Sequence, residues 1–188
     1  MNMLKIIIAR IRGSLTLEEL IQRGLTCGDQ VNINSGCLID EGFVHLIKLG
    51  NNVTLAPKVT VLSHESSTKN WLGYTKIGIV EIGDNVFIGT GSVILPGVKI
   101  GNNVIIGAGS VVTKEIPANS VAVGNPAKII QSTNDYISDQ KNKMDSSPLF
   151  DESYTHYNGT RKGKIVSPGK LNEQVELLKL NGGKGFVR

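Results

Sequence analysis

The chain is short of cysteine, of aromatic residues and of long apolar runs, and each shortage removes a class of protein. Two cysteines in 188 residues, Cys27 and Cys37, are too few for a disulfide framework. Neither has a CxxC partner of the kind that holds a metal, so both read as reduced, packed thiols. Aromatic residues make up 5% of the chain, and the lysines and arginines behind its net charge of +4 are scattered. A nucleic-acid surface calls for clustered basic residues and stacking rings, so no nucleic-acid partner is expected. A modest preference for small anionic ligands suits the charge equally well. The N-terminal run MNMLKIIIARIRG falls short of a signal-peptide core with its cleavage site and of the ~20 residues of a membrane span. A cytoplasmic protein without stable membrane insertion is the expectation. Lys5, Arg10 and Arg12 among isoleucines leave one alternative open, an amphipathic N-terminus that touches a membrane surface.

What the chain does have is a beat of six. From Ile82 it divides into IGDNVF, IGTGSV, ILPGVK, IGNNVI, IGAGSV and VTKEIP, with Ile82, Ile88, Ile94, Ile100, Ile106 and Val112 opening the blocks and a small or β-branched residue recurring four positions later. LGNNVT from Leu49, LAPKVT from Leu55 and, more loosely, INSGCL from Ile33 repeat the pattern. Six residues match neither the 3.6-residue helical period nor a free alternating sheet; they match a coil of short strands turned at fixed intervals. Three blocks, about eighteen residues, make one triangular turn. The opening aliphatics then stack inward as one column, with Gly, Asn and Asp at the corners where tight bends or positive φ are needed.

These blocks, with the ending VVTKEIPANSVAVGNPAKII from Val111 to Ile130, resemble the hexapeptide-repeat acyltransferases, the family of maltose, galactoside and xenobiotic O-acetyltransferases. The likeness runs from about Val31 to Ile130. The six-residue period implies a solenoid; the left-handed sense of the parallel β-helix is implied by the resemblance alone. The expected architecture is an all-β solenoid, residues 31–130, with a protruding loop at 63–78. An N-terminal cap, 1–30, contains a short helix announced by Thr16 and Glu19 in a capping-box spacing, with Leu17, Leu20 and Ile21 on one face and Gly24 as a stop. A C-terminal extension, 131–188, carries two polar helices, STNDYISDQKNKM and LNEQVELLKL, joined by an irregular link from Ser146 to Lys170. Leu171, Val175 and Leu178 form a thin apolar stripe on the second.

The beat breaks at VTVLSHESSTKNWLGYTKIG from Val59 to Gly78. The extra residues cannot fit inside a triangular coil and must loop out, and loops on a rigid scaffold are where chemistry tends to sit. In the family that the chain resembles, a histidine at this break is the catalytic base, which assigns that role to His64. An imidazole, with an ordinary pKa of about 6.5, is suited to take a proton from a sugar hydroxyl near neutral pH. The resemblance implies direct transfer from acetyl coenzyme A with no protein nucleophile, and none is evident: the cysteines lie outside the loop and no serine has a matching base.

Further positions carry over where the chain matches. Asn32 and Asp40 in NINSGCLID keep the eight-residue separation of the family's Asn and Asp, which line the acceptor and thioester pocket. The interval from Asp40 to His64 is longer than in the galactoside enzyme, because DEGFVHLIK replaces a shorter turn, and a plain corner carboxylate is the competing reading for Asp40. The loop resembles that of O-acetyltransferases acting on bacterial surface polysaccharides, with Glu65 in place of the more usual Asp; Glu65 either orients His64 or faces solvent. Trp71 and Tyr74 suit sugar stacking or loop anchoring, and His45 is a further candidate for the acceptor site. Thr90 in FIGTGS matches a residue whose backbone N–H faces the thioester, an amide donor for a developing oxyanion. Ala108, Thr113, Lys114 and Lys128 match the line along which the pantetheine and phosphates of coenzyme A lie. Many relatives carry arginine at Lys128 and another basic residue at Gln131. The resemblance also implies a homotrimer whose active sites lie between subunits.

A γ-class carbonic anhydrase shares the solenoid but needs three histidines around a metal; here His45, His64 and His156 are the only histidines and none is close to His64 in sequence, so no metal is expected. Residues 1–30 are too few for the nucleotide fold of a sugar pyrophosphorylase or the helical region of a serine acetyltransferase. Two rivals remain beside the sugar O-acetyltransferase: an enzyme that acetylates a xenobiotic hydroxyl, and a non-catalytic solenoid scaffold.

Overall fold

The computed structural model describes residues 15–156 and 165–187. The basic segment with Lys5, Arg10 and Arg12 lies outside them. The chain divides into two compact units at Asn134/Asp135.

The first unit is a coil of two- to five-residue strands on three faces, each built by parallel pairing. Face one stacks β1 (Thr26–Cys27), β4 (Ile47–Leu49), β9 (Val80–Ile82) and β12 (Lys99–Ile100). Face two stacks β2 (Asn32–Ile33), β5 (Val53–Leu55), β10 (Val86–Ile88), β13 (Ile105–Ile106) and β15 (Ser120–Val123), and ends in β16 (Lys128–Ser132), the one strand of the coil that runs antiparallel. Face three stacks β3 (Leu38–Ile39), β6 (Thr60–Val61), β11 (Val93–Ile94) and β14 (Val111–Val112). The chain visits the faces in the order one, two, three, and repeats.

The block-opening residues build the core. Ile88, Ile94, Ile106, Val112 and Leu55 are fully buried, and Ile82, Ile100 and Leu49 nearly so. The positions four later, Val86, Ser92, Val98, Val104, Ser110 and Ile116, are buried between them. The corner from face one to face two bends the chain tightly, with Gln30 on the first rung and asparagine on the following ones: Asn52, Asn85, Asn103 and Asn119 all adopt positive φ, between 52° and 59°. Their side-chain amides form a ladder, Asn52 Nδ2 donating to Asn85 Oδ1 at 2.9 Å, Asn85 to Asn103 at 3.1 Å and Asn103 to Asn119 at 3.0 Å. Asparagine tolerates this backbone because its short polar side chain bonds locally.

The undisturbed coil has a period of eighteen, seen where Phe87 pairs with Ile105. Asn32 pairs with Thr54, twenty-two positions on, and Thr54 with Phe87, thirty-three on. Both surplus segments leave at the corner between faces three and one, on successive rungs. The first forms a 3-10 turn at Val44–Leu46. The second is an ordered hairpin: β7 (His64–Glu65) pairs antiparallel with β8 (Lys76–Ile77), and a four-residue helix, Lys69–Leu72, sits at its tip. The hairpin closes where the Gly78 N–H donates to the Ser63 carbonyl at 2.9 Å. Gly78 presses on the next rung so closely that a Cβ there would come 2.5 Å from the Gly97 nitrogen.

Ahead of the coil, α1 (Leu17–Gln22) starts with Thr16 and Glu19 exchanging side-chain-to-backbone bonds of 3.2 and 2.8 Å, and buries Leu20 against the first rung. The second unit contains most of the 13-residue helix Thr133–Asp145 and a second one, Pro168–Leu180, joined by a link that is not wholly irregular. Within it lie β17 (Leu149–Phe150), which pairs parallel with β18 (Phe186–Val187), and a 3-10 turn at Glu152–Tyr154. Of the apolar stripe on the last helix, Leu171 and Leu178 are half-buried and Val175 is exposed.

Candidate active site

Where the coil opens its hairpin, four donors converge on one oxygen. Asp40 follows β3, and its Oδ2 receives the backbone N–H of Ser63 at 3.0 Å and of His64 at 2.9 Å. His64 Nδ1 lies 2.5 Å from the same atom, and Ser63 Oγ 3.0 Å from it. The Asp40 side chain is 2% exposed and that of His64 36%, so the carboxylate is sealed beneath an accessible imidazole. Burial pushes the Asp40 pKa up, but the bonds from His64 and Ser63 outweigh it and hold the carboxyl below the usual range. An ionised carboxylate only accepts, so the Nδ1 proton belongs to the ring, and Nε2 is the unprotonated nitrogen of the neutral tautomer.

Glu65 does not orient the imidazole. Its carboxylate pairs with Lys76 across the hairpin and accepts the Ser67 N–H at 2.6 Å. The Lys76 bond first, then those from Ser67, lower its pKa to about 2. Trp71 and Tyr74 stand at the hairpin tip, 87% and 78% exposed, with Thr68 Oγ1 bonded to the Tyr74 carbonyl at 2.8 Å; they do not anchor the loop by packing. His45 is exposed, its ring 6.4 Å from that of Phe43.

The remaining sequence-predicted residues fall on two corners. Thr113 and Lys114 follow β14 at the corner that releases His64, two rungs along the axis, roughly 10 Å at one strand spacing per rung. Thr90 and Ala108 stack at the opposite edge of face three, between faces two and three, where the Gly109 N–H donates to the Thr90 carbonyl at 2.9 Å. Among the described residues the Thr90 N–H meets no acceptor. Lys128 stands beside this corner on β16, opposite Val123. Asn32 is exposed on face two, opposite Thr54. All five cofactor candidates are exposed. One chain thus joins His64 to Asp40 but separates it from Thr90 by the width of a face, roughly 15 Å at 3.3 Å per residue.

Two participants do not stand out in the sequence. Ser63 is fully buried, with its Oγ 3.0 Å from both Asp40 Oδ2 and the Phe43 carbonyl. Phe43 places its ring 5.1 Å from that of His64. The available signal for Phe43 is that it sits in surplus chain of the rung beside the histidine. A cavity of about 600 Å³ in the second unit, lined by Met144, Leu149, Phe150, Tyr154 and Phe186 among others, holds none of the predicted residues. Among the described residues, no group of three or more His, Cys, Asp or Glu could hold a metal ion, and no helix is long and apolar enough to cross a membrane.

The pattern of the bacterial transferase hexapeptide family (six repeats) matches residues 79–114. Protein CapG of Staphylococcus aureus is 37% identical over 143 residues, covering 71% of this chain and 81% of that protein. The galactoside O-acetyltransferase of Escherichia coli K12 is 43% identical over 96 residues, 48% of this chain and 46% of the enzyme, so the match spans less than half the enzyme's length. Among solved structures, the maltose O-acetyltransferase of Clostridium difficile 630 is similar with a TM-score of 0.51 and 34% identity, covering 67% of this chain and 82% of that one. These relatives imply the left-handed sense of the coil. A coil built on the six-residue beat, and identity of this order over more than four fifths of a solved relative, mean that this chain belongs to the hexapeptide-repeat acetyltransferase family and is an acyltransferase.

Proposed function

We propose that the chain transfers the acetyl group of acetyl coenzyme A directly to a hydroxyl of a sugar, a building block of a bacterial surface polysaccharide or lipopolysaccharide. The observation that carries this reading is the buried Asp40 carboxylate on Nδ1 of an accessible His64, at the corner where the coil releases its hairpin. Nε2 takes the proton of the acceptor hydroxyl as its oxygen attacks the thioester carbonyl. Asp40 stabilises the imidazolium that forms, and the Thr90 N–H meets the oxyanion of the tetrahedral intermediate. Collapse expels the coenzyme A thiolate, which takes the proton back from Nε2 and leaves as the thiol. Ala108 and Thr113 flank the pantetheine, and Lys114 and Lys128 supply charge for the phosphates. Asn32 and the rings of Trp71 and Tyr74 line the acceptor side. Glu65, held by Lys76, fixes the hairpin on which those rings ride.

Since His64 and Thr90 stand on opposite edges of one face, the site closes when a second copy brings its Thr90 corner to the His64 corner of the first. Three copies in a ring satisfy this for every site. Residues 31–130 form the catalytic coil in this reading, with 1–30 as its cap and 131–188 as an extension.

His64→Ala tests the reading. The side chain lies outside the aliphatic column, so the fold and acetyl coenzyme A binding should hold, with a loss of stability limited to the bond that Asp40 gives up, while turnover on the best acceptor in a sugar screen falls by about 10²–10⁴-fold, the usual worth of a positioned general base. A variant with more than a tenth of wild-type turnover, with chemistry limiting the rate, would return His64 to an ordinary loop residue.

A further inference from the structure

Two surplus segments leave the eighteen-residue coil at one corner on successive rungs, and they meet at the imidazole. Phe43, from the first, sets its ring 5.1 Å from that of His64 at an interplanar angle of 43°, the spacing of paired aromatic rings. Its carbonyl lies 3.0 Å from Ser63 Oγ, the hydroxyl that also lies beside Asp40 Oδ2. The ring is half-buried and takes no part in the aliphatic column, so core filling does not account for it. His64 is therefore held on two sides: Asp40 bonds Nδ1 and Phe43 packs against the ring.

We propose that Phe43 is a positioning residue for His64, which keeps the imidazole in the rotamer that bonds Nδ1 to Asp40 and presents Nε2 outward. The inference rests on His64 being the base. Asp40 alone fixes one atom and leaves the ring free to swing about that bond; a ring packed beside it removes the swing. The extra residues of the first segment then have a use: Asp40, still in register with the coil, supplies the carboxylate, and the surplus chain after it supplies the ring.

Imidazole nitrogen NMR on the full-length protein tests this without the acceptor. The chain has three histidines, and His64→Asn assigns the signals of the one concerned. Wild type and Phe43→Tyr should show a single His64 tautomer protonated at Nδ1, whereas Phe43→Leu, which keeps apolar bulk but removes the ring, should show averaging between both tautomers. In parallel, with acetyl coenzyme A and a sugar acceptor found by screening, Phe43→Leu should lower kcat about three- to tenfold, the worth of a side chain driven off its rotamer, with KM for acetyl coenzyme A unchanged. A Phe43→Leu spectrum identical to wild type overturns the proposal, as does a Phe43→Tyr spectrum as averaged as that of Phe43→Leu. Full turnover of His64→Ala would instead defeat the base assignment, and the spectra would still judge what Phe43 does to the ring.

Discussion

A carboxylate that accepts two backbone amides and an imidazole cannot turn away without leaving buried donors unpaired, and Asp40 is in that position. Asp40→Asn can keep the backbone bonds through its amide oxygen but brings no charge to the imidazolium. Turnover should fall by about 10²–10⁴-fold with the fold retained, the scale on which an orienting carboxylate acts. The same residue sets an acid limit on stability. Its carboxyl is held below the ordinary range in the folded chain, so the unfolded chain binds the proton more readily. The stabilisation is complete above the unfolded value of about 3.9 and is lost as pH falls through the folded one. Urea unfolding between pH 6 and pH 2 should therefore show a midpoint that drops below about pH 4 in wild type and changes less in Asp40→Asn; equal slopes would remove Asp40 from the acid limb. His64 was legible in the sequence because the repeat breaks there. Its partner was visible only as an Asp that the resemblance placed in the acceptor and thioester pocket, with a plain corner carboxylate as the competing reading, because the two residues whose atoms the coil brings to 2.5 Å are twenty-four positions apart.

At the scale of elements, the coil and the place of its loop were readable, and the internal structure of the inserts was not. A period of six needs only residue types, whereas the strands of the hairpin are two residues each and its helix four, below any window in which periodicity can be counted. Backbone pairing across the loop, His64 opposite Ile77 and Glu65 opposite Lys76, orders a segment whose composition reads as polar loop. The asparagine ladder shows the reverse case, where corner residues expected from turn chemistry also bond to one another. Asn85→Ala loses two amide contacts and leaves a Cβ at φ 55° without local compensation. It should destabilise the coil by about 1–3 kcal/mol, and Asn85→Gly, which accepts the backbone freely, by about 1 kcal/mol less. Thermal or urea unfolding of the two variants measures the difference; equal losses would mean that the ladder, not the backbone, carries the cost.

For the whole molecule, the separation of His64 from Thr90 across one face makes activity depend on assembly in the proposed ring. Light scattering on active enzyme should return three chain masses, and dilution to the point of dissociation should abolish turnover along with the trimer signal. A monomer mass for fully active enzyme would sink this prediction. The apolar side chains exposed on the hairpin of a single chain, Trp71, Leu72, Tyr74 and Ile77, are free to meet either a second copy or the acceptor.

The sequence by itself determined the solenoid, because its aliphatic column depends on residue type at a fixed interval and on nothing distant. It also located the place where the chain leaves the coil, since an interrupted period is a local property of the chain. The tertiary structure alone decided which carboxylate serves His64, giving the task to Asp40 and tying Glu65 to Lys76. It alone placed Phe43 against the imidazole. The reason is geometric: stacking successive rungs turns separations of about twenty residues into contact distances, and which side chains then meet depends on how surplus chain is routed at a corner, which no interval in the sequence records.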